Sequence, residues 1–166
     1  MQKRRDVLIS ISGIMTLAGC TGGSPEETPD EAIEADVQDV IVTLDDLESG
    51  WSGGLDDENE GEATFFNDNV TIEIKVDKLS NVTQAESTFD ELESDETEST
   101  SSDSIDYGNE GFLVNPMDGY VVLGFRAGNL VIRISSATVE GSFTDPENPA
   151  RDFADKIVEK IAAQSN

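Results

Sequence analysis

The side chains of this chain that could do chemistry are overwhelmingly carboxylates. Its 166 residues include 36 aspartates and glutamates, 10 lysines and arginines, one cysteine and no histidine. Without imidazole, the usual proton shuttle and the usual transition-metal ligand are both missing. The sequence carries no Gly-x-Ser-x-Gly elbow, phosphate-cradling glycine loop or dinucleotide fingerprint. Paired carboxylates are everywhere, so in a chain this acidic no pair is diagnostic of general acid–base work, and a serine with a lysine base is the least excluded catalytic variant. The expectation is a non-enzyme without a cofactor. Binding of a hard cation is the better chemical alternative. Asp56, Glu58 and Glu60 alternate ahead of Gly61, as a calcium loop requires for an ion that takes about six to eight oxygens. The position that should close such a loop with a bidentate glutamate is Asn67, so the competing reading is a solvated acidic loop. Two sequons, Asn69-Val70-Thr71 and Asn81-Val82-Thr83, are candidate N-glycosylation sites.

The single thiol has a more specific setting. Arg4 and Arg5 precede an apolar run from Val7 to Leu17, and Leu17-Ala18-Gly19-Cys20 follows in small residues. The run is too short for the roughly 20 residues of a spanning helix, and its layout is that of a cleavable twin-arginine export signal. Leu-Ala-Gly-Cys resembles the lipobox of lipoproteins, in which the thiol carries a thioether-linked lipid. That resemblance implies removal of residues 1–19, lipid on Cys20, and anchorage at the outer face of the cell membrane. With Cys20 spent on lipid, no intramolecular disulfide can form, and stability must come from packing.

Charge is the second signal. Removing residues 1–19 takes away Lys3, Arg4, Arg5 and Asp6, which leaves 35 acidic against 7 basic residues. Such a surface repels nucleic acid and anionic headgroups, and at low ionic strength it also repels itself. At molar salt the Debye length falls to about 3 Å and that repulsion largely disappears. The composition resembles that of proteins from extremely halophilic archaea.

Residues 20–36 read as a lipidated cysteine and a flexible acidic tether, because Gly22, Gly23, Ser24, Pro25 and Pro29 among acids offer little to bury. Residues 37–163 then suit one domain. Val37, Val40, Ile41, Leu44 and Leu47 have helical spacing up to Gly50, although Val40-Ile41-Val42 also suits a strand. Trp51 reads as an anchor in the core or at its rim. Val70, Ile72, Ile74 and Val76 alternate with polar residues after Asn67-Asp68-Asn69, which predicts a hairpin with Ala63–Phe66. Thr83 and Glu86 have capping-box spacing for a helix over 84–93. Residues 93–104, almost all Ser, Thr, Asp and Glu, read as a solvated loop. A hairpin turning on Gly128-Asn129 should set Phe125 against Ile132 and Leu123 against Ile134, with Arg126 and Arg133 on the opposite side. Ala150, Phe153, Ala154, Ile157, Val158 and Ile161 form the stripe of a last helix.

Strands with interspersed helices predict an α+β domain, an antiparallel sheet with helices packed against it. Leu44-Asp45-Asp46-Leu47, Gly50-Trp51, the stretch from Gly108 to Phe112, and Phe125-Arg126-Ala127-Gly128-Asn129 resemble prokaryotic lipoproteins with a PsbP-like fold, over roughly residues 40–163. The resemblance implies an α/β/α sandwich and an extracytoplasmic accessory role, and it carries over no catalytic residues. The expected function is a non-catalytic binding or accessory module, held to the membrane through Cys20 and acting on a membrane-complex or cell-surface protein. The alternative is a small-ligand or ion-binding lipoprotein serving a transporter.

Overall fold

A computed structural model describes residues 31–98 and 100–164. The domain is a seven-stranded antiparallel sheet with helices on both faces, an α/β/α sandwich in general plan. In chain order the elements are α1 (Val37–Val40), β1 (Ser52–Leu55), β2 (Glu62–Phe66), β3 (Val70–Lys78), α2 (Val82–Thr97), β4 (Ser102–Ser104), β5 (Glu110–Met117), β6 (Tyr120–Ala127), β7 (Leu130–Thr138) and α3 (Glu147–Gln164), with a 3-10 turn at Leu44–Asp46. The strand order is β1-β2-β3-β7-β6-β5-β4. Two meanders, β1–β3 and β4–β7, are thus joined where β3 and β7 pair over nine residues, from Val70↔Thr138 to Lys78↔Leu130.

The alternation in β3 sends Val70, Ile72, Ile74 and Val76 into the core and leaves Glu73 and Lys75 in solvent. Strands β6 and β7 are different: both of their faces are covered, so almost every residue is buried and the sequence reads as a continuous apolar run. The expected register is observed, with Phe125↔Ile132 and Leu123↔Ile134. Helix α3 lays Ala150, Phe153, Ala154, Ile157 and Ile161 on the face formed by Ile72, Ile74, Leu123, Phe125, Ile132 and Ile134. Helix α2 covers the other face with Ala85 and Phe89 against Phe112, Val114, Val122 and Val131. Trp51 is half-buried at the rim of the first cluster, edge-on to Phe153 with ring centroids 5.1 Å apart.

Four sequence expectations need correction. The helix drawn to Gly50 is only α1, followed by extended Ile41 (φ −71°, ψ 146°) and the 3-10 turn. Val40, Ile41 and Val42 are all fully buried, and three consecutive inward side chains cannot lie on one helical stripe. Residues 93–104 are not a loop throughout: α2 continues to Thr97 and β4 forms at Ser102–Ser104. The acids there find partners, Glu96 with Arg133 (2.7 Å) and Glu93 with the Ser102 hydroxyl (3.2 Å). The N-cap of α2 is Asn81, whose Oδ1 accepts from the Gln84 amide at 2.9 Å, while Glu86 turns to Arg126. Finally, the end of the supposed tether belongs to the domain, because Ile33 is buried in the larger cluster.

Candidate functional site

Residues 31–36 form a strap that closes the β6–β7 end of the sheet. The Ile33 amide donates to Asn129 Oδ1 at 2.6 Å, a buried contact, and Asn129 Nδ2 donates to the Leu79 carbonyl at 2.9 Å. Lys78 Nζ donates to the carbonyls of Glu34 (3.0 Å) and Ala35 (2.8 Å). Gly128 makes the close approach possible. It sits at φ +56°, and a Cβ there would lie 2.2 Å from the Glu31 carbonyl oxygen. Any other residue would therefore meet backbone strain and a clash with the strap together. One residue pair, Gly128-Asn129, both turns the hairpin and receives the incoming chain.

Arg126 braces this turn from the α2 face. Its side chain is 6% exposed; Nη1 donates to the Gly128 carbonyl at 3.0 Å, and Nε pairs with Glu110. Nη2 lies 3.8 Å from Glu86. The Gly128 amide in turn donates to Asn109 Oδ1 at 2.7 Å. On the α3 face, Tyr107 stacks near Phe125 at 5.8 Å. Burial first, and the Asp155 carboxylate second, push the Tyr107 hydroxyl up to about 12. Arg151 partly opposes this, its own pKa raised by its hydrogen bond to Glu147 at 2.8 Å. Asp46 fastens the 3-10 turn to α3 through Lys160 at 2.9 Å. Burial raises its pKa, but Lys160 and the Thr43 amide and hydroxyl outweigh burial and hold the carboxyl below its ordinary value.

These groups are ion pairs and clamps that hold elements together, and each donor has its acceptor inside the protein. Asp56, Glu58 and Glu60 lie exposed in the β1–β2 turn. Asp56 Oδ1 accepts from the amides of Glu58 (2.7 Å) and Asn59 (3.0 Å), so it shapes the turn. Among the described residues no three carboxylates converge as a metal site. A hollow on the outer face of α2 is lined by Ser87, Asp90, Glu91, Ser94 and Asp95, whose carboxylates face solvent.

Both sequon asparagines are exposed. Asn69 sits in the β2–β3 turn, where its Oδ1 accepts from the Ser142 hydroxyl at 3.3 Å. Asn81 caps α2 through Oδ1, leaving the cap independent of the nitrogen to which a sugar would attach. They mark opposite ends of β3. Arg4, Arg5 and Cys20 lie outside the described residues. Among the described residues no helix is long and apolar enough to cross a membrane.

The sequence missed the strap because a lone Ile33 among acids carries no periodicity. The signal available was Gly128-Asn129 itself, whose amide side chain needs partners once buried. No protein-family model matches the chain, and neither does any curated protein. A crystal structure from Bacteroides thetaiotaomicron is similar at 17% identity, over 60% of this chain and 39% of the other, with a TM-score of 0.40.

Proposed function

We propose that the chain is a membrane-anchored extracytoplasmic lipoprotein, exported by the twin-arginine route and lipidated on Cys20, whose domain is a non-catalytic binding or accessory module of PsbP-like fold working at high salt. The observation that carries this reading is the strap. The chain arriving from Cys20 enters the domain at one defined place, the β6–β7 turn, where Ile33, Gly128, Asn129 and Lys78 receive it. A module that acts by contact needs such a fixed exit more than a catalyst in free solution would. Ten residues lie between Cys20 and Glu31, and the eleven steps span a contour of at most about 40 Å at ~3.5 Å per residue. The domain would therefore work close to the membrane, with its β6–β7 end inward. The acidic surface fits a salt-rich exterior, where screening removes self-repulsion.

The test is extraction of the native protein from its own membranes in molar salt after mild crosslinking, followed by mass spectrometry. The expected intact mass begins at Cys20 with a lipid attached, and one partner co-purifies at near-equal amount. A mature chain still beginning at Met1 would end the lipoprotein reading. A lipidated chain that always travels alone would end the accessory reading.

A further inference from the structure

The end of the sheet opposite the strap carries an apolar tip that the fold does not use. Phe143 is wholly exposed (104%), and Met117 (66%), Phe66 (49%) and Val139 (38%) accompany it. They belong to three connections that meet there. The Val139 amide donates to the Asn69 carbonyl at 2.8 Å, and the Thr138 amide to the Gly119 carbonyl at 2.8 Å. The loop carrying Phe143 is built rather than loose. The Ser142 amide donates to the Val139 carbonyl at 2.9 Å, the Ser142 hydroxyl lies 3.1 Å from Thr144 Oγ1, and Thr138 Oγ1 donates to the Thr144 carbonyl at 3.3 Å. Hydrogen bonds thus fix the backbone on both sides of an aromatic ring that packs on none of the described residues. Among the described residues, four of the six exposed large apolar side chains gather at this one end; Leu44 and Leu55 are the others.

We propose that this tip is a docking surface for a partner protein that offers an apolar pocket rimmed by lysine or arginine side chains. Charge chooses among the occupants. Asp68, Asp118, Glu140 and Asp145 surround the tip, all exposed, and its three loops contain no lysine or arginine. A second copy is poorly equipped to supply the basic rim: of the seven lysines and arginines beyond residue 19, Lys75, Lys78, Arg126, Arg133, Arg151 and Lys160 are engaged within the domain, and a rim needs more than Lys156. Anionic headgroups are repelled by the same carboxylates. Placement agrees. The strap receives the anchored chain at the far end of the nine-residue β3, about 30 Å away at ~3.3 Å per residue, so the tip faces away from the membrane. At molar salt only ion pairs in direct contact escape screening, while apolar burial persists. The ring then supplies affinity and the rim selects the partner. This orientation rests on the anchored reading above.

The test places p-benzoylphenylalanine at position 143, or at position 87 on the outer face of α2 as control, in the full-length protein in its own cells. Irradiation should give one protein adduct at 143, at least about tenfold above the control, through an apolar peptide flanked by lysine or arginine. With that partner purified, Phe143→Asp should weaken binding about thirty-fold, as for an interface hot spot, with an unchanged melting temperature because the ring has no packing to lose. An adduct to lipid, an adduct to a second copy, no adduct above the control, or a glycan on Asn69 covering the tip would each overturn the proposal. The intact mass of the same preparation separates the two readings. A lipidated chain without the adduct sinks the tip alone, and an adduct on a chain without lipid sinks the anchor alone.

Discussion

The two faces of the sheet are built from different physics. Under α3 lies a continuous apolar cluster into which Phe65, Phe125, Phe153 and six isoleucines of strands and helix are sealed. Its one polar intruder from β7 is Ser136, whose buried hydroxyl has no hydrogen-bond partner. Helix α3 itself mixes Glu147, Asp152, Asp155 and Glu159 with Arg151, Lys156 and Lys160. Under α2 the apolar cluster has six buried members, and the remaining area is filled by Arg126 and Arg133 with their carboxylate partners. Helix α2 contains Glu86, Asp90, Glu91, Glu93, Asp95 and Glu96 and no basic residue. Glu86–Asp90 and Glu91–Asp95 are like charges at i,i+4, and the last turns set carboxylates at the negative end of the helix dipole. One face is therefore held by burial, and the other by ion pairs that work against the helix's own repulsion.

The largest expected effect breaks the comparison at its apolar pole. Phe153→Ala removes a buried ring that packs against both Trp51 and Phe65 (5.1 and 5.4 Å), and should cost about 3–5 kcal/mol. Phe89→Ala, whose ring meets Phe112 at 5.6 Å in the smaller cluster, should cost less, toward about 3 kcal/mol. Denaturant midpoints in molar salt measure both. Equal losses would mean that the two clusters contribute alike.

Next comes the polar pole. Arg126→Met keeps the stem of the side chain but leaves the Gly128 carbonyl and Glu110 without their donor. Breaking a buried pair costs about 3–5 kcal/mol, and because Glu110 is 40% exposed the loss should be nearer 2. It should be greater at low salt than at high. A loss independent of salt would assign the role of Arg126 to shape. Smaller again is the response of α2 to dilution. Between molar salt and about 0.1 M the Debye length grows from about 3 to 10 Å. Amide hydrogen exchange in 90–97 should rise before that in 150–161, and simultaneous loss of protection would refute the division of the faces.

What the sequence made legible follows the same division. Strands with a clean period, β3 and the β6–β7 hairpin, were readable to the register because each residue's burial follows from its position. Helix α3 was readable from its stripe. The end of α2 and β4 was not, since Glu96 reveals no partner until Arg133 arrives from β7, 37 residues beyond it, and Glu93 and Ser102 meet only once the chain has turned back from α2 into β4. The extended Ile41-Val42 and the strap at Ile33 are long-range for the same reason: β-branched or lone apolar residues accept whatever conformation the core imposes. Of the candidate sites, the exposure of Asn69 could be expected from its turn, whereas the capping role of Asn81 could not, since the spacing of Thr83 and Glu86 suggests a cap two residues later. The apolar tip could not, because Phe66, Met117, Val139 and Phe143 are far apart in the chain and only topology gathers them.

The smallest effect tests whether the α3 face also relies on a polar clamp. The Tyr107 hydroxyl is pushed up to about 12 by burial and by Asp155, from an unfolded value near 10. The fold therefore favours the protonated phenol. That contribution to stability is fully present below pH 10, and it is lost as the pH rises through 12. Absorbance titration of the phenolates should show a late component that disappears in Tyr107→Phe, which keeps the ring on Phe125. The variant should lose no more than about 1 kcal/mol at neutral pH, the net worth of one hydrogen bond, and it should no longer show the stability loss specific to that alkaline interval. Persistence of the late component in Tyr107→Phe would assign it elsewhere. A larger neutral loss would mean that the clamp to α3, rather than the burial of Phe153 and Ile157 alone, holds the apolar face closed.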